Sequence, residues 1–516
     1  MARRERNLPK KPRPLGYHTR KPREGELTGN LALDCEALRC LIGTDGDLEW
    51  RMLYSRGHHS AALFYFAGMV DLALLSQSVI RPIQRYERSL EPKTVARAVI
   101  EIPGYKTTQV ALELAGAIAG GQVVLVCDGY REGLILDATQ VAERNIERAQ
   151  SEDVLIGPHD SFSESLSTNL ALLRNRLSSP NLKHHLQKVG RVSSTGVAVL
   201  YVAGIVNEKL VQEVLQRIGR VDIDHLYARS LTDFICDAPL AILPLLRQTE
   251  RPPRAVAALL EGRVIVMVDG DPGALIIPSF APEMLQSAED YYERPAVATF
   301  LRGVRLLGTL IAVFLPGVWV AAVGIHHGIL PPALFRSIHA AREEVPLPTV
   351  VEMFVLLIAF DIIVEASTRM PMRVGQALGI VGGIILGQAA VQAGFVSPSK
   401  VIIVSLTGLA TFTQPAPSLL GPLRVLKYIV LVFSSTLGLF GVTWCIILLA
   451  VQASSFRSFG YPFMYPLSPF AWRGALDVFM RVPMYLQALR PSLQTENVRR
   501  MGVTKNTPKR RGGGEV

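Results

Sequence analysis

Apolar positions change their spacing along the chain. Up to about residue 300 they come in short runs broken by charge, from Arg305 to Gln452 charges are sparse, and beyond that mixed polarity returns. In the first region GQVVLVCDGYREGLIL (121 to 136) aligns without a gap on GRVIVMVDGDPGALII (262 to 277). Each reads as a strand, an Asp-Gly turn at Asp128-Gly129 or Asp269-Gly270, and a returning strand, which is hairpin chemistry. Upstream, LFYFAGMVD (63 to 71) aligns on VLYVAGIVN (199 to 207), where an apolar strand passes through Ala-Gly into an Asx residue able to cap a helix. The pattern predicts an α/β cytosolic region of two tandem related subdomains, 31–150 and 151–295, the second led by a helix over SESLSTNLALLRNRL. The duplication suits a pseudo-symmetric sensing or assembly module, or inheritance of a stable fold. Residues 1–30 are basic and proline-rich and predict a disordered tail without a cleavable signal peptide.

Four longer apolar runs, 304–325, 350–367, 374–396 and 428–452, approach or exceed the roughly 20 residues that cross a bilayer core. A fifth, 401–413, stops at Gln414-Pro415-Ala416-Pro417 and is either completed through 418–423 as a kinked span or re-entrant. The prediction is an all-α polytopic transmembrane domain over 296–455, with four spans and a re-entrant segment at 401–420. An even number of crossings keeps Arg302, Arg305 and the basic C-terminal residues on the cytoplasmic side. Residues 456–516 read as an interfacial segment, with Tyr, Trp and Arg suited to headgroup depth, followed by a basic cytoplasmic tail.

Polar groups within these runs are the candidate chemistry. Glu352 completes a Thr349-x-x-Glu352 capping box. Asp361 and Glu365 share a helix face with Arg369, either as an acidic stripe along a cation path or as an end-of-helix ion pair. Gly375, Gly379, Gly383 and Gly387 recur every fourth residue and form a small face for close helix packing. Val381, Ile385, Gln388 and Gln392 lie opposite, as pore-lining candidates or as amides bonded to neighbouring helices. That helix is expected to be central.

Composition narrows the function class. The net charge of +10 is concentrated in the tails and at segment ends, which excludes a nucleic-acid footprint. Cys35, Cys40, Cys127, Cys236 and Cys445 follow no framework spacing and predict reduced thiols. The histidine pairs His58-His59, His184-His185 and His326-His327 place neighbours on opposite faces, so no metal site is expected. No P-loop, G-x-S-x-G or dinucleotide fingerprint is present, and neither an enzyme nor a cofactor is expected.

GPHDSFSESLSTNLALLRNRL (157 to 177), QTERP (248 to 252), LLEGRVIVMVDG (259 to 270), EDYYERP (289 to 295), GQALGIVGGIILGQAAVQAGFVSP (375 to 398) and SFRSFGYPF (455 to 463) together resemble the GerA family, the A subunits of bacterial endospore germinant receptors. Pro253 and Ser161 depart from its usual Asp and Gly, leaving open the stage V sporulation AF branch. The resemblance implies a multi-pass protein of the endospore inner membrane. It implies a homo-oligomer that works beside a transporter-like B subunit and a C-subunit lipoprotein, among membrane lipids, and releases monovalent cations when nutrient binds. A non-conducting scaffold and a secondary transporter are the alternatives.

Overall fold

The sequence repeats become two sheets of one design. The computed structural model describes residues 25–42, 47–139, 152, 156–343, 345–369, 387–483, 486–487, 489–490, 493 and 495–500. Strands β1 (Leu48–Tyr54), β2 (Ser60–Phe66), β3 (Tyr105–Thr108), β4 (Val123–Cys127) and β5 (Gly133–Leu136) lie in the order β1-β2-β4-β5-β3. Strands β6 (Leu182–Val189), β7 (Thr195–Val202), β8 (Arg247–Thr249), β9 (Val264–Val268) and β10 (Ala274–Ile277) lie in the order β6-β7-β9-β10-β8. Every pairing is antiparallel. Both faces of the first sheet are covered, so its strands alternate between two cores: Ala61, Leu63 and Tyr65 of β2 enter one, Ala62, Phe64 and Phe66 the other. Gly129 (φ 83°) and Gly270 (φ 87°) turn the central hairpins in a left-handed backbone that a side chain would strain.

The repeat extends into the helices. α1 (Leu31–Ile42) precedes the first sheet, α2 (Ala111–Ala119) packs on it, and α3 (Leu166–Arg176) precedes the second. Leu31 N donates to Asp128 Oδ1 at 3.2 Å, and Leu166 N donates to Asp269 Oδ1 at 3.1 Å. Thr28 N reaches Asp34 and Ser163 N reaches Asn169, each at 2.8 Å. Asp71 and Asn207 cap the helices after the Ala-Gly steps, the second being α4 (Glu208–Gly219).

Arg174 of α3 joins the two subdomains. It meets the Asp47 carboxylate through two hydrogen bonds of 2.9 and 3.1 Å, and its guanidinium lies 3.8 Å from the Phe66 ring centroid. Its Nη2 stands 3.1 Å from His184 Nδ1, and Lys183 Nζ caps the Leu41 and Ile42 carbonyls. Burial, with the charge of Arg174 adding to it, pushes His184 down to about 4 although Asp47 pulls the other way. The ring is therefore neutral near pH 7, and the 3.5 Å approach of its Nε2 to Asp47 is not an ion pair.

Residues 456–516 read as an interfacial segment and a basic tail; in the structure the described residues 489–490 and 495–500 pack on the second subdomain. Thr495 bridges Val206, and Glu496 N donates to Ile205 O at 2.9 Å. In the first subdomain the matching Val70 is bridged by Thr139, which directly follows β5. After β10 the chain leaves the unit at Ser279 and returns only at Val482. The second subdomain thus takes this bridge partner from a distant part of the chain. Arg490 fixes that partner, donating to the carbonyls of Leu260 (2.7 Å), Asn497 (3.0 Å) and Arg499 (2.7 Å), with Leu260 ending α5 (Pro252–Leu260).

The other compact unit, Leu240–Leu245 with Phe280–Arg481, is mainly helical: α6 (Pro295–Gly324), α7 (Thr349–Arg369), α8 (Gly387–Gln392), α9 (Pro398–Thr411), α10 (Leu420–Leu437), α11 (Leu439–Ser455) and α12 (Trp472–Phe479). Among the described residues two helical stretches, Pro295–Gly324 and Pro417–Leu437, are long and apolar enough to cross a membrane. The apolar pattern predicts one helix across 428–452. The structure breaks it at Gly438 (φ 62°), where a side chain would run into His326 at the end of α6. Gln414 Nε2 reaches Arg305 O near the start of α6, whereas Gly317 packs on Val430 and Gly438 on His326, so α6 and α10 run in one direction. Beyond α11, Ala281 N donates to Phe463 O and Arg302 to Asp477 O, so α11 returns to the start of α6. α7 also runs back, with Met353 beside Val320 and Phe360 beside Gly408, whose helix ends next to Gly308.

Removing one partner of the Arg174 to Asp47 pair strands a buried charge, so Arg174→Ala is expected to cost about 3–5 kcal/mol. The buried neutral His184 makes the unfolded state bind more protons between about pH 6.5 and 4, so stability falls as pH drops through that window. His184→Gln is expected to flatten that slope in urea unfolding curves taken at successive pH values; an unchanged slope would contradict the assignment.

Candidate functional site

Apolar helices α7, α9 and α10 carry charged side chains into their shared interior. Glu352, one turn into α7, has no exposed surface. Its carboxylate accepts from Ser397 N at 2.5 Å and Ser397 Oγ at 2.8 Å, and it pairs with the buried Lys400 Nζ on α9. The capping-box pattern does not describe this role: the carboxylate leaves its own helix and ties α7 to the start of α9. Two turns on, Asp361 Oδ1 accepts from Lys427 Nζ at 2.8 Å and Oδ2 from Tyr428 Oη at 2.6 Å, linking α7 to α10. Met353, Leu357, Val404 and Leu431 surround these contacts with an apolar core.

Glu365 binds Arg369 at 2.7 Å along its own helix, and Arg424 Nη1 lies 3.7 Å away on α10. The acidic stripe is therefore neutralised along its length, and the end-of-helix pair with Arg369 is present. A cleft of about 380 Å³ opens between α7 and α10, lined by Phe354, Ile358, Asp361, Glu365, Arg424 and Tyr428 among others. Its walls are apolar and its polar groups are already paired, so it holds charge in fixed, mutually satisfied positions.

Of the amide face, Gln388 and Gln392 are exposed on α8, and Gly387 is half-buried, with room for a Cβ 3.8 Å from Val401. Val381, Ile385, Gly375, Gly379 and Gly383 lie outside the described residues. Lys400 and Lys427 are the partners that pattern reading misses. Each stands immediately before an apolar run, where a lysine reads as a flanking charge, and only the opposing acids on α7 mark them as interior. Arg302 and Arg305 likewise read as flanking charges, yet both bind the buried Asp290, at 2.9 and 2.7 Å.

A family model described as Bacillus/Clostridium GerA spore germination protein matches residues 36–493. Spore germination protein KA of Bacillus subtilis (strain 168) is 35% identical over 92% of this chain and 89% of its own. Spore germination protein B1 of the same organism is 34% identical over 90% and 98%. Its stage V sporulation protein AF is 27% identical over 84% and 88%. The crystal structure of the N-terminal domain of the A subunit of the Bacillus megaterium spore germinant receptor GerK3 is similar at 24% identity and a TM-score of 0.40, covering 49% of this chain and 96% of that one. With the model and the relatives spanning almost its whole length, the chain belongs to the GerA family of spore germination proteins.

Proposed function

We propose that the chain is a membrane subunit of an endospore germinant receptor, with its helical unit in the inner spore membrane and its α/β unit and C-terminal segment in the cytoplasm. It oligomerises, works beside a transporter-like subunit and a lipoprotein, and gates the release of monovalent cations. It is not an enzyme in this reading. The observation that carries the proposal is the pair of acid–lysine contacts, Glu352 with Lys400 and Asp361 with Lys427, inside otherwise apolar helices. A charge in hydrocarbon costs at least about 3 kcal/mol, so intramembrane charges are kept where they act on ions or on packing states. Exposed Gln388 and Gln392 on α8 supply uncharged oxygen and amide groups for a path at a subunit boundary.

The helix directions support a revised crossing count in place of four spans and a re-entrant segment. α6, α7, α9, α10 and α11 run out, back, back, out and back, so the reading needs one outward crossing between α7 and α9, where most of the apolar run 374–396 lies outside the described residues. Six crossings would still be even, with Arg302, Arg305, Arg369 and Arg424 all toward the starting end of α6, as the positive-inside rule favours.

In a cysteine-free background, Leu437→Cys beside the Gly438 turn is expected to react with an impermeant maleimide from the side opposite the C-terminal tail. A single helix across 428–452 would leave that cysteine in the bilayer and unreactive. Liposomes holding the chain with its partner subunits are expected to release potassium on addition of the cognate nutrient, and Gln388→Trp or Gln392→Trp to change that release at least about threefold with assembly intact. Unchanged release from both would remove α8 from the path, and no release under any condition would leave a scaffold.

A further inference from the structure

We infer that α12 is an interfacial anchor, laying one face along the boundary between lipid headgroups and acyl chains; this rests on the reading that α6 crosses a bilayer. Along α12, Trp472, Leu476, Phe479 and the following Met480 are 66, 38, 47 and 54% exposed. Their spacing of four, seven and eight residues puts them on one helix face. Ala475 and Val478 on the other face are buried. Phe470 extends the exposed face, its ring 5.8 Å from that of Trp472 and 64% exposed.

The level of α12 is fixed by polar contacts to the start of α6. Arg302 and Gln286 both donate to the Asp477 carbonyl, the latter at 3.1 Å. Arg481 N donates to Thr299 Oγ1 at 3.1 Å, and Arg481 Nη2 to Tyr291 O at 3.0 Å. Asp290 holds Arg302 in place with a 2.9 Å bond and has no exposed side-chain surface. At ~1.5 Å per residue, about 33 Å of helix separates Arg302 from the end of α6, against a hydrocarbon core of about 30 Å. The clamp therefore sits at one margin of the apolar layer when α6 spans it.

Chemistry at that level matches a headgroup boundary more closely than water or a protein partner. Tyr291, Tyr292 and Phe300 are 41, 51 and 70% exposed close to the clamp, and aromatic side chains concentrate at such margins. The exposed apolar stripe continues up α6 through Val304 and Leu307 at 41 and 57%, toward the bilayer interior and not toward a bounded patch. A surface that runs on into the lipid-facing flank of a span is covered by lipid itself. By carrying the return of the chain from α11 toward Val482, the anchor sets the height at which the C-terminal segment leaves the membrane.

The test uses the full chain in nanodiscs of phosphatidylcholine and phosphatidylglycerol, with Trp472 left as the sole tryptophan by Trp50→Phe, Trp319→Phe and Trp444→Phe. A second variant keeps only Trp444, which is exposed on α11. Lipids brominated near the headgroup are expected to quench Trp472 at least about twofold more than lipids brominated near the chain end. As a measurement independent of those replacements, a spin label at Leu476→Cys is expected to relax more with oxygen than with a water-soluble nickel chelate. Lipid quenching of Trp444 without quenching of Trp472, together with a nickel-accessible or wholly protected label at 476, would overturn the anchor and leave the membrane reading standing. Absence of lipid quenching at both tryptophans would overturn the membrane reading together with the anchor.

Discussion

A charge placed among apolar helices has to be met by another charge, and that requirement organises the helical unit. Glu352 and Asp361 project from α7 nine residues apart and each draws a lysine from a different helix. Tyr428 and the Ser397 hydroxyl and amide take the remaining acceptor capacity. These contacts tie α7 to α9 and α10 at two depths, while the apolar core around Met353 and Leu431 fills the space between. Such pairs add little net stability relative to well-packed hydrophobic residues, but breaking one is costly, so they select one helix arrangement over others. In the proposed receptor role, such contacts would make a small shift of α7 against α10 change the energy steeply.

The α/β unit reaches the helices through chain connectivity. Most of the helical unit, Phe280–Arg481, is inserted in the chain between β10 and the bridge residue Thr495. Arg490 fastens the returning end by three carbonyls, and Arg500 adds a 3.2 Å contact to Glu261. Arg174 then links that subdomain to the first through Asp47 and the Phe66 ring.

Much of the α/β fold is legible in the sequence because short apolar runs joined by Asp-Gly turns, repeated once, leave local signatures. The equivalence of α1 and α3 is not: LALDCEALRCLI and LSTNLALLRNR share few residues, and the match appears in the main-chain bonds to Asp128 and Asp269 and to Asp34 and Asn169. The pairing of Thr495 and Glu496 with the second subdomain is made by main-chain groups, which leave no mark on side-chain identity. In the helical half, hydropathy finds the apolar runs but cannot see the turn at Gly438, since glycine also serves close packing, as Gly317 does against Val430. The acids of α7 stand out as costly residues. Their lysines do not, because a window that counts apolar residues simply begins after Lys400 and Lys427.

The most direct test of paired interior charge is a swap across α7 and α10, read as thermal stability in nanodiscs and as nutrient-triggered potassium release with the partner subunits. Asp361→Lys and Lys427→Asp are each expected to destabilise the chain by about 3–5 kcal/mol and to abolish regulated release, and the double exchange to recover most of both. Single variants as stable and as competent as the unmodified chain, or a double exchange no better than its parents, would contradict the account.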